Sequence, residues 1–309
     1  MSRGPAGAGS LPPEEFARTG GAIAGSRPPE RASSSAIAID PLRADATRWT
    51  VVVPVKSLTG AKTRLAPELS PPERAALARA FALDTIEAAA GAELVARVVV
   101  VSDEPAIEGA LREMPGVEVV PEVGPRGLGA AIAHGVAVAR TQAPGSRGRR
   151  QASAGPERAA SARDAGDADP VAVAVLLGDL PSVRATDLDA ALEAAARHPL
   201  AFVPDAEGAG TTLATARRGE PLVAHFGADS AARHAAAGFA DLVAEHPTAI
   251  APRLRRDVDT ASELREAVAL GAGPRTATVV RDISAAAPGP RHPFEPPAPT
   301  AGADRKAAS

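Results

Sequence analysis

The sequence of 309 residues contains no cysteine, which excludes disulfides, thiolate-bound metals and a cysteine nucleophile. Aromatic residues make up only 2% of it, so the core must consist of Val, Leu, Ile and Ala, which suits a parallel sheet covered by helices. No apolar run is long enough to span a membrane, and a net charge of −3 disfavours extensive nucleic-acid binding. The first 45 residues lack the apolar segment of a signal peptide, so we expect a cytoplasmic protein.

Lysine is scarce as well: of the 34 basic residues only three are lysines. Two of them, Lys56 and Lys62, share a short loop with Arg64, directly after the β-branched run 51–53. A buried strand that delivers cations to a loop ahead of a helix is the arrangement by which α/β folds bind polyphosphates. The alternative is a solvated basic loop, which is the more common meaning of such a cluster.

Segments rich in Pro, Gly, Ser and Ala divide the chain. We expect disordered tails at residues 1–45 and 283–309 and a flexible insertion at about 142–169, because none of them carries an apolar pattern. The remaining part, 46–282, alternates short apolar strands with helices and predicts one α/β domain. The most hydrophobic strand, 171–177, is expected at the centre of the sheet.

Helix starts are marked by capping boxes, in which a Ser or Thr is followed three residues later by an acidic residue. Three pairs fit this pattern: Ser70 with Glu73, Thr186 with Asp189 and Thr260 with Glu263. Each pair predicts a helix that begins at its first residue.

Acidic residues occur where ligands bind in open parallel sheets. Asp179 follows the predicted central strand, and Asp257 and Asp259 flank Val258, so that extended backbone would direct both carboxylates to the same side. Oxygen ligands of this kind suit Mg²⁺, which bridges carboxylates to phosphates. The alternatives are a turn residue at 179 and a helix-cap cluster at 257–259. The presence of both groups together with the lysine loop favours a metal.

Other motifs are incomplete or ambiguous. Gly60–Thr63 approaches a phosphate-binding loop motif, but Ala61 stands where that motif requires glycine. The sequence has no dinucleotide-binding, hydrolase or zinc-ligand motif. Thr211 follows a glycine-rich turn, and Gly227 and Ser230 lie at a predicted helix start, where an anion site and an ordinary cap are both open. His234 could face the same place.

Five segments now form a pattern: VPVKSLTGAKTRLAP, GDLP, GAGTT, FGADSAARH and DVDT. Their order resembles the guanylyltransferases of deazaflavin coenzyme biosynthesis, a family that covers the phosphoenolpyruvate and 2-phospho-L-lactate guanylyltransferases. The resemblance spans about residues 49–280, apart from the insertion. It implies a single GT-A-like (Rossmann-like) nucleotidyltransferase domain, with a mainly parallel central sheet flanked by helices.

The resemblance also implies substrates. GTP would condense with phosphoenolpyruvate to give enolpyruvyl-diphospho-guanosine and pyrophosphate. Phosphoenolpyruvate is favoured as the acceptor because the Arg-rich, Lys-poor and Ala-rich composition is typical of actinobacterial proteins. The alternatives are 2-phospho-L-lactate, 3-phosphoglycerate, a molybdopterin or sugar-phosphate acceptor, and a non-catalytic nucleotide-binding scaffold. A homodimer and hand-over of the unstable product to the next enzyme of the pathway are open alternatives for partners.

Site residues follow from the resemblance position by position. Three cations match the loop against the GTP phosphates, three residues match the acid-binding positions, and three carboxylates match the Mg²⁺ ligands. The sets are Lys56, Lys62 and Arg64; Thr211, Gly227 and Ser230; and Asp179, Asp257 and Asp259. One departure concerns base recognition: relatives commonly have Leu-Asn where this chain has Leu128-Gly129, and the chain contains no asparagine.

Overall fold

A computed structural model describes residues 47–58, 60–141 and 171–286. The predicted N-terminal tail and the predicted insertion lie outside the described residues, as does the predicted C-terminal tail from residue 287 onward. The last described helix ends at Ala286, so helical structure continues past residue 283, where the sequence pattern placed the start of that tail.

The described residues form one seven-stranded sheet in the order β3-β2-β1-β4-β6-β5-β7. The strands are β1 (Trp49–Pro54), β2 (Val95–Val101), β3 (Val117–Val120), β4 (Ala172–Leu176), β5 (Leu200–Pro204), β6 (Thr211–Ala216) and β7 (Ala240–Asp241). Only β6 runs against its neighbours β4 and β5, while all other pairs are parallel. The predicted mainly parallel sheet is therefore confirmed, and β4 is its central strand as expected.

Helices cover both faces of this sheet. They are α1 (Pro71–Gly91), α2 (Pro105–Leu111), α3 (Leu128–Thr141), α4 (Ala185–Ala195), α5 (Ser230–Ala236), α6 (Leu242–Glu245), α7 (Pro252–Arg255), α8 (Ala261–Ala269) and α9 (Pro274–Ala286). None of the helices in the described ranges combines the length and apolarity needed to cross a membrane.

The alternation of side chains along the strands divides the core into two layers. Val51 and Val53 of β1 pack on one face with α1 and α4, whereas Val52 packs on the other face with α3 and α5. A third cluster, which contains Leu65 and Val258, lies under α8 and α9. Most residues in these layers are aliphatic, as the scarcity of aromatic residues predicts, and Trp49, Phe81 and Phe202 are the largest fully buried side chains.

Two of the three predicted capping boxes are confirmed. The Glu73 carboxylate accepts hydrogen bonds from the backbone N–H and the hydroxyl of Ser70 at the start of α1. At the start of α8, Thr260 Oγ1 accepts from the backbone N–H of Glu263, whose carboxylate accepts from the N–H of Thr260.

The third box, Thr186 with Asp189, is wrong. Helix α4 begins one residue before Thr186, and the carboxylate that accepts from its N-cap N–H is that of Asp187, bonded to Arg184 N at 3.0 Å. Asp189 instead accepts from the backbone N–H of Leu94, ahead of β2. The two acidic residues are two positions apart, so they lie on different sides of the helix and have different partners.

The topology places the ends of several strands at one edge of the sheet. Strands β1, β4 and β5 end there, and β6, which runs in the opposite direction, begins there. Backbone hydrogen bonds continue past the strands, since Leu177 N donates to Thr212 O at 3.0 Å. The segments that follow β1, β4 and β5 therefore meet next to Thr211, at what we call the carboxyl edge.

Candidate active site at the carboxyl edge

Lys62 lies at the centre of the carboxyl edge. Its Nζ donates to Asp179 Oδ2 at 2.6 Å and to Asp259 Oδ1 at 2.9 Å, so it joins segments that are 117 and 197 residues away in the sequence. Its backbone is left-handed, with φ 53°, just before the short 3-10 helix Thr63–Leu65. Leu65 is fully buried and anchors that turn. Because a non-glycine residue rarely adopts this conformation, the loop holds the ammonium group at some cost in backbone energy.

The charges at this point are strongly coupled. Burial alone lowers the pKa of Lys62, but the carboxylates of Asp179 and Asp259 outweigh it and raise the pKa above its ordinary value. Burial has the opposite effect on Asp259 and raises its pKa. The charge of Lys62 and then that of Arg64, 3.6 Å from Asp259 Oδ2, outweigh burial and lower the pKa of Asp259 below the ordinary range. Lys62 and Asp259 are therefore both charged at neutral pH.

Asp257 has a different environment. Burial, followed by the charges of Asp179, Asp259 and Asp205, raises the pKa of Asp257 to about 7. Its carboxylate oxygens lie within 4.8 Å of those of Asp205 and Glu207. Glu207 is paired with Arg256 at 2.6 Å. The other carboxylates around Asp257 still carry more negative charge than Lys62 and Arg64 neutralise, which is the condition that a bound cation relieves.

The carboxylates of this edge have the chemistry of a divalent-cation site, but the predicted ligands are only partly brought together. Asp257 lies with Asp205 and Glu207, whereas Asp179 and Asp259 contact Lys62. Asp179 Oδ1 is buried and has no hydrogen-bond partner among the described residues, although buried carboxylate oxygens are normally paired. The donors are carboxylate oxygens, the ligands that Mg²⁺ prefers. Val258 is fully buried between the two partly exposed aspartates, as the predicted alternation requires.

Asp205 and Glu207 were missed by the sequence analysis. Both follow the end of β5 and so reach the same edge as Asp179, which follows β4. Their position after a predicted strand was the available signal. It was weak because the pairing of β5 next to β6, rather than next to β4, could not be deduced from the pattern.

A cleft of about 420 Å³ opens beside these charges. Lys56, Lys62, Asp179 and Asp259 line its polar end, and Leu128 is among the apolar residues that line the remainder. The apolar part also includes Val55, Ala78, Ala82 and Leu177. The cleft thus combines a charged end for phosphates with a wall against which a base can pack.

Lys56 and Arg64 are exposed, in contrast to Lys62. The Lys56 side chain is exposed at the cleft, and the Arg64 side chain is 73% exposed while it contacts Asp259. The structure therefore brings the three predicted cations into one region, with one of them held between carboxylates and two reaching into solvent.

Asp205 also contacts the glycine-rich turn that leads to Thr211, one of the predicted acid-binding residues. Its carboxylate accepts from the backbone N–H groups of Ala209 and Gly210, at 3.0 and 2.7 Å, and so fixes the glycine-rich turn ahead of Thr211. A Cβ at Gly210 would lie 2.2 Å from Asp205 Oδ2, so any other residue there would displace the Asp205 carboxylate. Ala231 N donates to Ala209 O at 3.1 Å and ties α5 to the same turn.

Gly227 and Ser230 lie at the start of α5. Gly227 has a φ of 116°, which other residues rarely adopt, and Ser230 is buried. Thr211 is buried at the start of β6, where its Oγ1 lies 3.0 Å from Nδ1 of His234 on α5. His234 thus connects Thr211 to helix α5, which also carries Ser230, another predicted acid-binding residue.

Comparisons with known proteins point to one family. Residues 49–142 match the family described as "Guanylyl transferase CofC like". A phosphoenolpyruvate guanylyltransferase from Sanguibacter keddieii is 43% identical over 263 residues, covering 75% of this chain and 84% of that protein. The corresponding protein of Thermomonospora curvata is 42% identical over 241 residues, covering 78% and 92%. The chain belongs to the CofC-like guanylyl transferase family.

Membership of the CofC-like family confirms the predicted family and the predicted nucleotidyltransferase class. Among solved structures, a putative nucleotide-diphospho-sugar transferase from Desulfovibrio desulfuricans is similar, with 18% identity and a TM-score of 0.47, covering 77% of this chain and 96% of that one. The roles of the individual site residues stay predictions.

Proposed function

We propose that this chain transfers the guanylyl group of GTP to phosphoenolpyruvate, forming enolpyruvyl-diphospho-guanosine and releasing pyrophosphate. One observation carries the proposal: relatives at 43% and 42% identity, matched over 84% and 92% of their own length, bear the name phosphoenolpyruvate guanylyltransferase. The carboxyl edge supports it, because cations and carboxylates converge there beside a cleft of nucleotide dimensions.

The reaction consists of one displacement. A phosphate oxygen of phosphoenolpyruvate attacks the α-phosphorus of GTP, and the bond from that phosphorus to the oxygen bridging to the β-phosphorus breaks. The attacking phosphate has a second pKa of about 6, so it is largely ionised at neutral pH and needs no general base. The main barrier is the repulsion between two polyanions.

The cations of the loop after β1 offset this repulsion. Lys62 stands at the charged end of the cleft, where the triphosphate would lie, and Lys56 and Arg64 extend from the same loop with their charges exposed. Lysine and arginine in these positions stabilise negative charge that develops on the leaving pyrophosphate. Lys62 is the best placed of the three because the two carboxylates fix its position.

Asp179, Asp257 and Asp259 would hold Mg²⁺. When bound, the ion neutralises phosphate charge and stabilises the leaving group. Two features of these residues support the assignment: the Oδ1 of Asp179 has no hydrogen-bond partner among the described residues, and the pKa of Asp257 is raised. Asp205 and Glu207 add negative charge next to Asp257 and extend the ligand set that the sequence pattern predicts.

Thr211, Gly227 and Ser230 would bind the acid. The hydroxyls of the threonine and the serine supply hydrogen-bond donors, and the absence of a side chain at 227 permits close approach of the backbone. Asp205 connects the two halves of the site, since it holds the glycine-rich turn and also contributes to the charge around Asp257.

The test is the release of pyrophosphate, measured with GTP and with ATP against phosphoenolpyruvate, 2-phospho-L-lactate and 3-phosphoglycerate. We expect release only with Mg²⁺ present and fastest from GTP with phosphoenolpyruvate. Faster release with another acid would keep the guanylyltransferase and replace the acceptor. No release from GTP with any acid would contradict the proposed function.

A further inference from the structure

We propose that His234 is a positioning residue that fixes the hydroxyl of Thr211 as a hydrogen-bond donor toward the acid substrate. This inference rests on the proposed function, since it assigns the acid to Thr211. It deepens that function by naming a histidine that contacts no phosphate and yet determines how the acid is held.

The hydrogen bonds of His234 determine its tautomer. Its Nε2 lies 3.0 Å from the backbone nitrogen of His225, and a backbone N–H can only donate, so Nε2 accepts and carries no proton. The proton of the neutral ring is therefore on Nδ1. Nδ1 lies 2.8 Å from the backbone carbonyl of Ser230, which can only accept, and this contact agrees with the same assignment.

The tautomer in turn determines the role of Thr211. Its Oγ1 is 3.0 Å from Nδ1 of His234, and a protonated Nδ1 cannot accept a hydrogen bond. The single Nδ1 proton is shared between the Ser230 carbonyl and Thr211 Oγ1, so Thr211 can only accept at this contact, and its hydroxyl hydrogen points elsewhere. Within the part of the chain that the structure describes, Thr211 Oγ1 has no second hydrogen-bond partner. Its O–H is free to donate to a carboxylate or phosphate oxygen.

The surroundings of His234 maintain this state. The ring is fully buried and contacts three of the six phenylalanines of the chain, Phe202, Phe226 and Phe239, at centroid distances of 4.9–5.6 Å. Burial, together with the nearby His225 and Arg233, lowers the pKa of the His234 imidazole to about 4 against the opposing hydrogen bond to Ser230. The ring is neutral in the physiological range.

Two amide variants separate the two ring nitrogens. In His234→Asn the side-chain N–H₂ reaches the Nδ1 position and can still donate to Thr211 and Ser230. In His234→Gln the amide reaches the Nε2 position and can still accept from His225 N, but the donor at Nδ1 is lost. Both variants bury a neutral amide, so their effects on folding should be similar, which thermal unfolding checks.

The readout is the KM for each substrate in the pyrophosphate assay. We expect His234→Gln to raise the KM for phosphoenolpyruvate about 10- to 100-fold, the effect of a weakened hydrogen bond to a charged group, with the KM for GTP changed less than about twofold. His234→Asn should recover most of this loss. Phe239→Leu, which alters the packing around the ring and leaves Nδ1 in place, should not change the KM for the acid.

A second pair tests whether His234 acts through Thr211. In Thr211→Val the hydroxyl is absent, so adding His234→Gln should raise the KM for the acid by less than about threefold more. Multiplying effects, equal KM values for the Asn and Gln variants, or the same loss in Phe239→Leu would overturn the proposal and leave the proposed function intact. No pyrophosphate release by the unmodified chain would instead refute the proposed function and this role with it.

Discussion

Replacing Lys62 by methionine tests the electrostatics of the site without any substrate. Methionine preserves most of the side-chain volume and removes the ammonium group, which donates to Asp179 at 2.6 Å and to Asp259 at 2.9 Å. Removing one partner of a buried ion pair typically costs about 3–5 kcal/mol, because a charge is left in a poorly solvated place.

The expected loss is smaller than this range. Asp259 is 43% exposed and retains Arg64, so water and the guanidinium compensate for the loss. Asp179 is 27% exposed and loses the one side-chain partner it has among the described residues. We therefore expect Lys62→Met to lower the free energy of unfolding by about 2–3 kcal/mol in EDTA at pH 7.5. For a domain of this size, that corresponds to about 5–10 °C in Tm.

Urea denaturation measures this difference, with Lys56→Met as the matched control. Lys56 belongs to the same loop and is exposed, so its replacement should change the free energy of unfolding by less than about 0.5 kcal/mol. Adding Asp179→Asn to Lys62→Met should restore about 1–2 kcal/mol, because the unpaired charge disappears. Equal stability of the two lysine variants, or a further loss in the double variant, would refute the assigned ion pairs.

Two further predictions concern the acid-binding side. The pKa of His234 is about 4 in the folded protein and 6.5 ordinarily, so the unfolded chain binds a proton that the folded protein does not as the pH falls from 6.5 to 4. Over that window the unmodified chain should lose about 3 kcal/mol more stability than His234→Asn, and parallel urea-denaturation profiles against pH would contradict the burial of a neutral ring. Gly210→Ala should raise the KM for the acid and cost about 1–3 kcal/mol of stability, because the new Cβ meets Asp205 Oδ2, while Gly109→Ala, with no atom within 4 Å, should do neither. A fully stable and active Gly210→Ala would show that the turn does not need its hydrogen bonds to the Asp205 carboxylate.

Local patterns predicted what depends on near neighbours in the sequence. The boxes at Ser70 and Thr260 and the central position of the strand before Asp179 were correct, because caps act over three residues and hydrophobicity reports burial. The box at Thr186 was wrong because Asp189 is used by the distant residue Leu94. A capping rule that considers residues three positions apart cannot identify a partner so far away in the sequence.

The least predictable features depend on contacts between distant segments. Asp84 lies within helix α1, but it is buried and accepts from the backbone N–H groups of Arg275 and Thr276 at the start of α9, about 190 residues later. In a similar way, Asp205 contacts both the glycine-rich turn ahead of Thr211 and the carboxylate group around Asp257. Neither role has a local signature, because the partner is set by the order of the strands and helices in space. The cytoplasmic location, a homodimer and product hand-over stay predictions.

We propose that carboxylates from two distant segments bind a divalent ion that guanylyl transfer requires. The most direct measurement is the rate of pyrophosphate release from GTP and phosphoenolpyruvate at saturating Mg²⁺ in Asp257→Ala, beside Asp282→Ala, an exposed aspartate on α9. We predict a loss of about 100-fold or more for Asp257→Ala with an unchanged circular dichroism spectrum, and a normal rate for Asp282→Ala. A near-normal rate in Asp257→Ala would contradict the proposed metal site.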